Sequence, residues 1–157
     1  MASGVAFSYV PSVEATMALE LLLSASLVLT ADQLTKAFVA KRLAEGESVA
    51  IGSCLQIRHV AKARRSQRLV PNRTVLLLLW GLAVGGIIFA VQSGYFFQHP
   101  VAQVGLGAAM GGATSNLYGR LRRGAVIDFL DVGWWPVFNL ADVAITLGVM
   151  AALWFIR

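Results

Sequence analysis

The chain has 157 residues, of which 57% are hydrophobic and 13% charged, with a mean hydropathy of +0.70. Soluble domains carry roughly a quarter charged residues, so this balance argues against a large soluble core and for a single polytopic membrane domain over residues 1–157. The net charge is +5, with nine of the thirteen basic residues between Lys36 and Arg73 and three more at Arg120, Arg122 and Arg123.

No nucleic-acid partner is expected from that basic cluster. The aromatics lie mostly in apolar segments and no recognition-module pattern is present, so attraction to anionic lipid headgroups is the simpler account. The lone Cys54 excludes an internal disulfide framework.

Four segments have the length and polarity of membrane spans, each needing about 20 mostly apolar residues. The first covers about 17–38 and carries Glu20, Asp32 and Lys36. It lacks a basic n-region, and its apolar run leads into Asp32 rather than a small-residue cleavage site, so it reads as a helix and not as a cleavable signal. A loop of about 35 residues follows. Its stretch "SVAIGSCLQIRHV" alternates enough for a short strand or two, and "KARRSQR" is a charge run.

The second span, about 74–93, contains no charge. The third, about 100–118, is rich in small residues, including the GxxxG pair Gly107 and Gly111, which suits a close helix-packing face. The fourth, about 137–156, holds Asn139 and Asp142 near its start, and Trp134, Trp135 and Trp154 fall near its ends, where amphipathic rings favour the headgroup zone.

Seven polar residues in or beside these spans need an explanation: Asp32, Lys36, Asn116, Arg120, Asp128, Asn139 and Asp142. Ionisable groups there cost several kcal/mol unless paired or facing water. Asp32 and Lys36 are four apart, share a helix face and can neutralise each other; the plain alternative is an interfacial pair at a helix end. Asp128 and Asp142 flank "VGWWP", whose aromatics and proline suit an interfacial loop. A chain leaving the membrane after the third span and re-entering at the fourth can set these two carboxylates side by side. Two carboxylates sharing a partly desolvated site do not both ionise easily. One can then act as base toward a water while the other, protonated, polarises a scissile carbonyl. Unrelated interfacial aspartates are the competing reading, and Asp131 is taken as one.

In this order, the motifs resemble the lipoprotein signal peptidase (signal peptidase II) family of four-span intramembrane aspartic endopeptidases. "ADQLTK" (31–36) looks like the family's D-Q-x-T-K element, and "GGATSNLYGR" (111–120) is similar to G-G-A-x-G-N-x-x-D-R. "VIDFLDVGWWPVFNLAD" (126–142) looks like the V-[VI]-D-F and F-N-x-A-D elements. The resemblance implies an all-α membrane fold of four transmembrane helices with a small β-containing loop between the first two. It assigns Asp128 and Asp142 as the catalytic dyad, with Asn116, Asn139, Asp32, Lys36 and Arg120 as binding or supporting positions.

It further implies no metal or cofactor, a prolipoprotein substrate with a lipid-modified cysteine, contact with membrane lipids, and a monomer in the bacterial inner (cytoplasmic) membrane. Two elements depart from the pattern. Ser115 stands where the family has glycine and Gly119 where it has aspartate. In the first loop, Lys62, Arg64 and Gln67 replace the Asn, Gly and Phe of N-x-G-A-A-F. The positive-inside rule places the basic loop in the cytoplasm, whereas the resemblance places that loop and the dyad on the outer face. The motif order is the more specific of the two signals. The alternatives are a non-catalytic paralogue that binds lipidated signal peptides or anionic lipid, and a small helical transporter or assembly factor using its acids as a proton relay.

Overall fold

A computed structural model describes residues 11–62, 73–92 and 99–155. The elements run α1 (Pro11–Arg42), β1 (Ser48–Ala50), β2 (Gln56–Lys62), α2 (Arg73–Gln92), α3 (Pro100–Arg123), β3 (Val126–Asp131) and α4 (Leu140–Trp154). All four expected helices are present, although α1 begins at Pro11 and α3 continues to Arg123. Among the described residues one helical stretch, Ala15–Arg42, is long and apolar enough to cross a membrane; Thr74–Phe89 and Leu140–Trp154 are shorter apolar helices. The expectation of four full spans is therefore met only in part. The fold is mostly helical with a small antiparallel sheet.

The helix ends follow local chemistry. Proline supplies the first residue of α3, where its missing N–H costs nothing and its φ is already helical. Gly124 closes α3 in the left-handed region at φ +71°, returning its N–H to the Arg120 carbonyl. Asn139 caps α4, and its side chain and that of Asp142 reciprocate in a capping box.

The central helix is α3. Its small residues let α1 and α4 approach on opposite sides. A Cβ at Gly111 would collide with the Ala25 carbonyl of α1, and one at Gly112 would stand 2.6 Å from the Ala141 carbonyl of α4. The glycine-rich face expected from the sequence is thus the seam of a three-helix unit, with dispersion contacts and close backbones doing the work that apolar burial does in water. By comparison α2 is peripheral, held in part by the Trp80 indole donating to Thr114 Oγ1 at 3.1 Å.

Polarity is distributed inside out. Leu22, Leu23, Leu27, Leu78, Leu82, Phe89, Leu147 and Met150 face outward, whereas Asp32, Lys36, Gln103, Ser115, Asp128 and Asn139 are buried. A water-soluble protein does the opposite.

The two expected strands between α1 and α2 exist and pair antiparallel as Ser48↔Arg58, Val49↔Ile57 and Ala50↔Gln56. A third strand was not expected. Residues 126–131, to which the sequence reading gave no secondary structure, form β3 and pair with β2 from Gln56↔Asp131 to Lys62↔Val126. The continuous apolar run "AVI" before Asp128 has no alternation to mark a strand; it is buried on both sides, which hides the period of two.

Between Ile57 and Val60 the β2 register shifts, so that β2 carries an extra residue opposite the segment Asp128–Leu130. Bulges of this kind re-aim side chains beside functional sites. His59, within the shift, binds the Leu43 carbonyl through Nδ1 at 2.8 Å and ties the sheet to the end of α1.

Candidate active site

Four elements, α1, α3, β3 and α4, deliver the site. After β3 the chain turns through Gly133, in the left-handed region at φ +81°, whose N–H donates to Asp131 Oδ1 at 2.9 Å. It then returns so that Phe138 bridges Leu130, with N–H···O bonds of 2.8 and 3.1 Å. This short return places Asn139 beside β3 and starts α4 there. Asn139 Nδ2 donates to Asp128 Oδ1 at 2.6 Å, its backbone N–H donates to Asp142 Oδ2 at 3.2 Å, and its Oδ1 accepts the Asp142 N–H at 3.0 Å. One asparagine, fully buried, therefore holds both carboxylates.

The capping box alone explains the Asn139–Asp142 pair, and is the plain reading of it. It does not explain the further bonds. Asn116 on α3 donates to Asp142 Oδ1 at 2.8 Å, while its own Oδ1 accepts from Asn139 Nδ2 at 3.3 Å and from Lys36 Nζ at 2.8 Å. Lys36 in turn lies 2.5 Å from Asp32 Oδ2, the two side chains being 1% and 0% exposed. The Asp32–Lys36 pair is thus buried between the helices and lies ahead of the last turn of α1, not at an exposed helix end.

Asp32 also accepts the Ser115 hydroxyl at 2.5 Å and the Ala141 N–H at 2.9 Å, which joins α1 to α3 and to the first turn of α4. Every bonding oxygen of a buried charge needs such a partner, because an unpaired one costs several kcal/mol.

Six of the seven residues singled out from sequence meet in this network. Arg120 does not: its side chain is exposed in the last turn of α3 and makes no hydrogen bond or ion pair among the described residues. The network also recruits two residues that the sequence reading did not place. Gln33 Nε2 donates to Ser115 Oγ at 2.6 Å and to the Ser115 carbonyl at 3.1 Å.

Both had a sequence signal. Gln33 sits inside "ADQLTK", and Ser115 immediately precedes Asn116. The Ser115 departure from the family glycine consequently adds a donor to Asp32. Gly119, where the family has aspartate, is buried with the Ala125 carbonyl 3.4 Å from where a Cβ would stand. Lys62 ends β2, pairing with Val126, while Arg64 and Gln67 lie outside the described residues.

Asp128 is 3% exposed, whereas Asp142 is partly open. Asp142 lines a cleft of about 470 Å³ together with Trp134, Trp135, Phe138, Val143 and Leu147. The geometry brings two carboxylates, a shared amide clamp and an apolar cleft to one end of the helical unit.

The fold is that of bacterial membrane enzymes. Two such structures solved by the in meso method superimpose with TM-scores of 0.75 and 0.73. The first is 23% identical, covering 85% of this chain and 89% of that one; the second is 25% identical, covering 83% of each. The family model for "Signal peptidase (SPase) II" matches residues 24–157. The lipoprotein signal peptidase of Moorella thermoacetica is 39% identical over 134 residues, covering 85% of this chain and 89% of that protein. The one from Pelotomaculum thermopropionicum is 38% identical over 133 residues, covering 82% and 86%. The chain belongs to the signal peptidase II family.

Proposed function

We propose that Asp128 and Asp142 are the catalytic carboxylates of this signal peptidase, which removes signal peptides from lipid-modified prolipoproteins within the membrane. The observation that carries the assignment is the double engagement of Asn139, which binds Asp128 through its side chain and Asp142 through its backbone and side chain. A simple helix cap has no use for the first bond.

In the reaction a water between the carboxylates loses a proton to one of them as its oxygen attacks the scissile carbonyl carbon. The other carboxyl, protonated, gives its proton to the carbonyl oxygen. As the resulting gem-diol collapses and the C–N bond breaks, the amine leaves with the proton just taken up and one diol hydroxyl returns its proton to the other carboxylate, so the pair ends with one proton as it began. The two groups act as one coupled acid. Asp142, facing the cleft, meets the peptide; Asp128 stands behind it on β3. Asn116, Asn139, Lys36 and Asp32 hold the oxygens in place, and fixed donors of this kind need no reorganisation as charge develops.

The outward leucines and phenylalanines suit a chain of four membrane-inserted helices forming one domain, monomeric and multi-pass in the bacterial inner membrane. By the usual rise of 1.5 Å per residue, α2 and α3 are about 30 and 36 Å long and match a hydrocarbon core, while α4 is shorter at about 22 Å. The cleft is lined mostly by apolar residues, which suits a substrate anchored by its own acyl chains. In this reading the sheet, the dyad and the basic first loop lie on the outer face.

The test is cleavage of a diacylglyceryl prolipoprotein by the purified protein in detergent–lipid micelles. The unmutated chain should cleave. Asp128→Asn and Asp142→Asn should each lose roughly 10²–10⁴-fold in rate. Absence of cleavage where the Moorella thermoacetica relative is active would sink the function. Wild-type rates in both variants would sink the dyad.

A further inference from the structure

Besides the Trp134–Leu147 cleft, α1 and α3 form a second groove of about 470 Å³. Its floor is apolar, from Leu29, Leu34 and Ala37, and its rim at the end of α3 carries Tyr118, Arg122 and Arg123. The rim is organised. Arg122 Nη1 donates to the Tyr118 hydroxyl at 2.5 Å with its guanidinium 5.8 Å from the ring centroid, and Arg123 Nη2 donates to Gln33 Oε1 at 3.2 Å.

Neither arginine has a carboxylate within ion-pair distance among the described residues. Both side chains are exposed, as is Leu34. Two uncompensated guanidinium groups above an open apolar trough, at the end of the molecule that also carries the exposed Trp134 and Trp135, are complementary to one kind of occupant.

We propose that this groove binds an anionic phospholipid of the surrounding bilayer. The phosphate accepts from Arg122 and Arg123, since a planar guanidinium fork suits a phosphate. One acyl chain lies along Leu29, Leu34 and Ala37. The proposal rests on the membrane-inserted reading above but not on the catalytic one. Gln33 links the rim to Ser115 and thence to Asp32, so the lipid sits one side chain away from the network that supports the dyad.

Native mass spectrometry of the purified full chain, titrated with phosphatidylglycerol or phosphatidylcholine, tests this. The unmutated protein should retain phosphatidylglycerol in preference to phosphatidylcholine. Arg122→Gln and Arg123→Gln should each reduce that preference roughly tenfold, the equivalent of one charge-assisted hydrogen bond. Ala37→Phe, which fills the trough without changing charge, should reduce occupancy by both lipids. Arg58→Gln removes the same charge from the sheet, where Arg58 faces Asp131 at 3.7 Å, and should leave the preference intact.

Arg123→Lys should keep most of the preference, which separates lost binding from lost folding. Equal losses in Arg58→Gln and the two groove arginine variants would mean a diffuse basic collar and overturn the site, as would no loss in any of them. Because the readout is lipid retention, a protein that fails to cleave prolipoprotein can still pass it, and an active protease can still fail it.

Discussion

Asp32→Asn should be the most damaging single change that leaves both proposed catalytic carboxylates in place. Asp32 is fully buried and accepts from Lys36, from the Ser115 hydroxyl and from the Ala141 N–H. The amide removes the negative charge and leaves the Lys36 ammonium, 1% exposed, with Asn116 Oδ1 as its remaining strong acceptor. Breaking a buried pair in this way costs about 3–5 kcal/mol. Lys36→Met should cost less, because Asp32 keeps two donors after the change, at 2.5 and 2.9 Å.

The double variant Asp32→Asn/Lys36→Met removes both charges together and should be more stable than Asp32→Asn alone. The assay is equilibrium unfolding of the four proteins in one detergent, closed as a double-mutant cycle. An interaction energy of about 2 kcal/mol or more is expected for such contacting groups. Single effects that add to within about 0.5 kcal/mol would refute the reasoning, because they would mean that Lys36 is compensated by something other than Asp32.

Other outcomes follow from the same geometry. Asn139→Ser keeps an N-cap oxygen for α4 but loses the amide donor to buried Asp128, so stability should fall by about 1–3 kcal/mol and cleavage of prolipoprotein should collapse in the protein that remains folded; retained cleavage would show that the clamp is only a cap. Gly111→Ala drives a methyl into the Ala25 carbonyl and should cost about 1–3 kcal/mol of stability, whereas Gly85→Ala, with open space around it, should be neutral or slightly stabilising. An equal response of the two in thermal unfolding contradicts the α1–α3 seam. Cys54 is exposed at the sheet end, so a membrane-impermeant thiol reagent should label it from outside intact cells; labelling from the cytoplasmic side alone reverses the orientation.

Much of the candidate site was legible before any geometry. A membrane tolerates few charges, so Asp32, Lys36, Asp128 and Asp142 stood out simply by being in apolar surroundings, and the motif resemblance grouped them with Asn116 and Asn139. The glycine face was legible for a similar reason, since only small residues let helix backbones touch without side chains between them. Ser115 and Gln33 were less visible, because an uncharged polar residue in a helix is unremarkable until its partner is known. Arg120, read as support, shows the converse: it matched the motif but points to the surface.

The sequence by itself determined that this is a helical chain with its apolar residues turned outward and a handful of costly polar groups that had to find one another. Burial energetics demand as much whatever the topology. Only the tertiary structure decided who meets whom. Asp128 and Asp142 have thirteen residues between them along the chain, and nothing local to either fixes their separation. It is set by the pairing of β3 with β2, the bridge of Phe138 back to Leu130, and the packing of α4 against the glycines of α3. Those are long-range contacts, and they bring Asn139 to the point where one side chain can hold both acids.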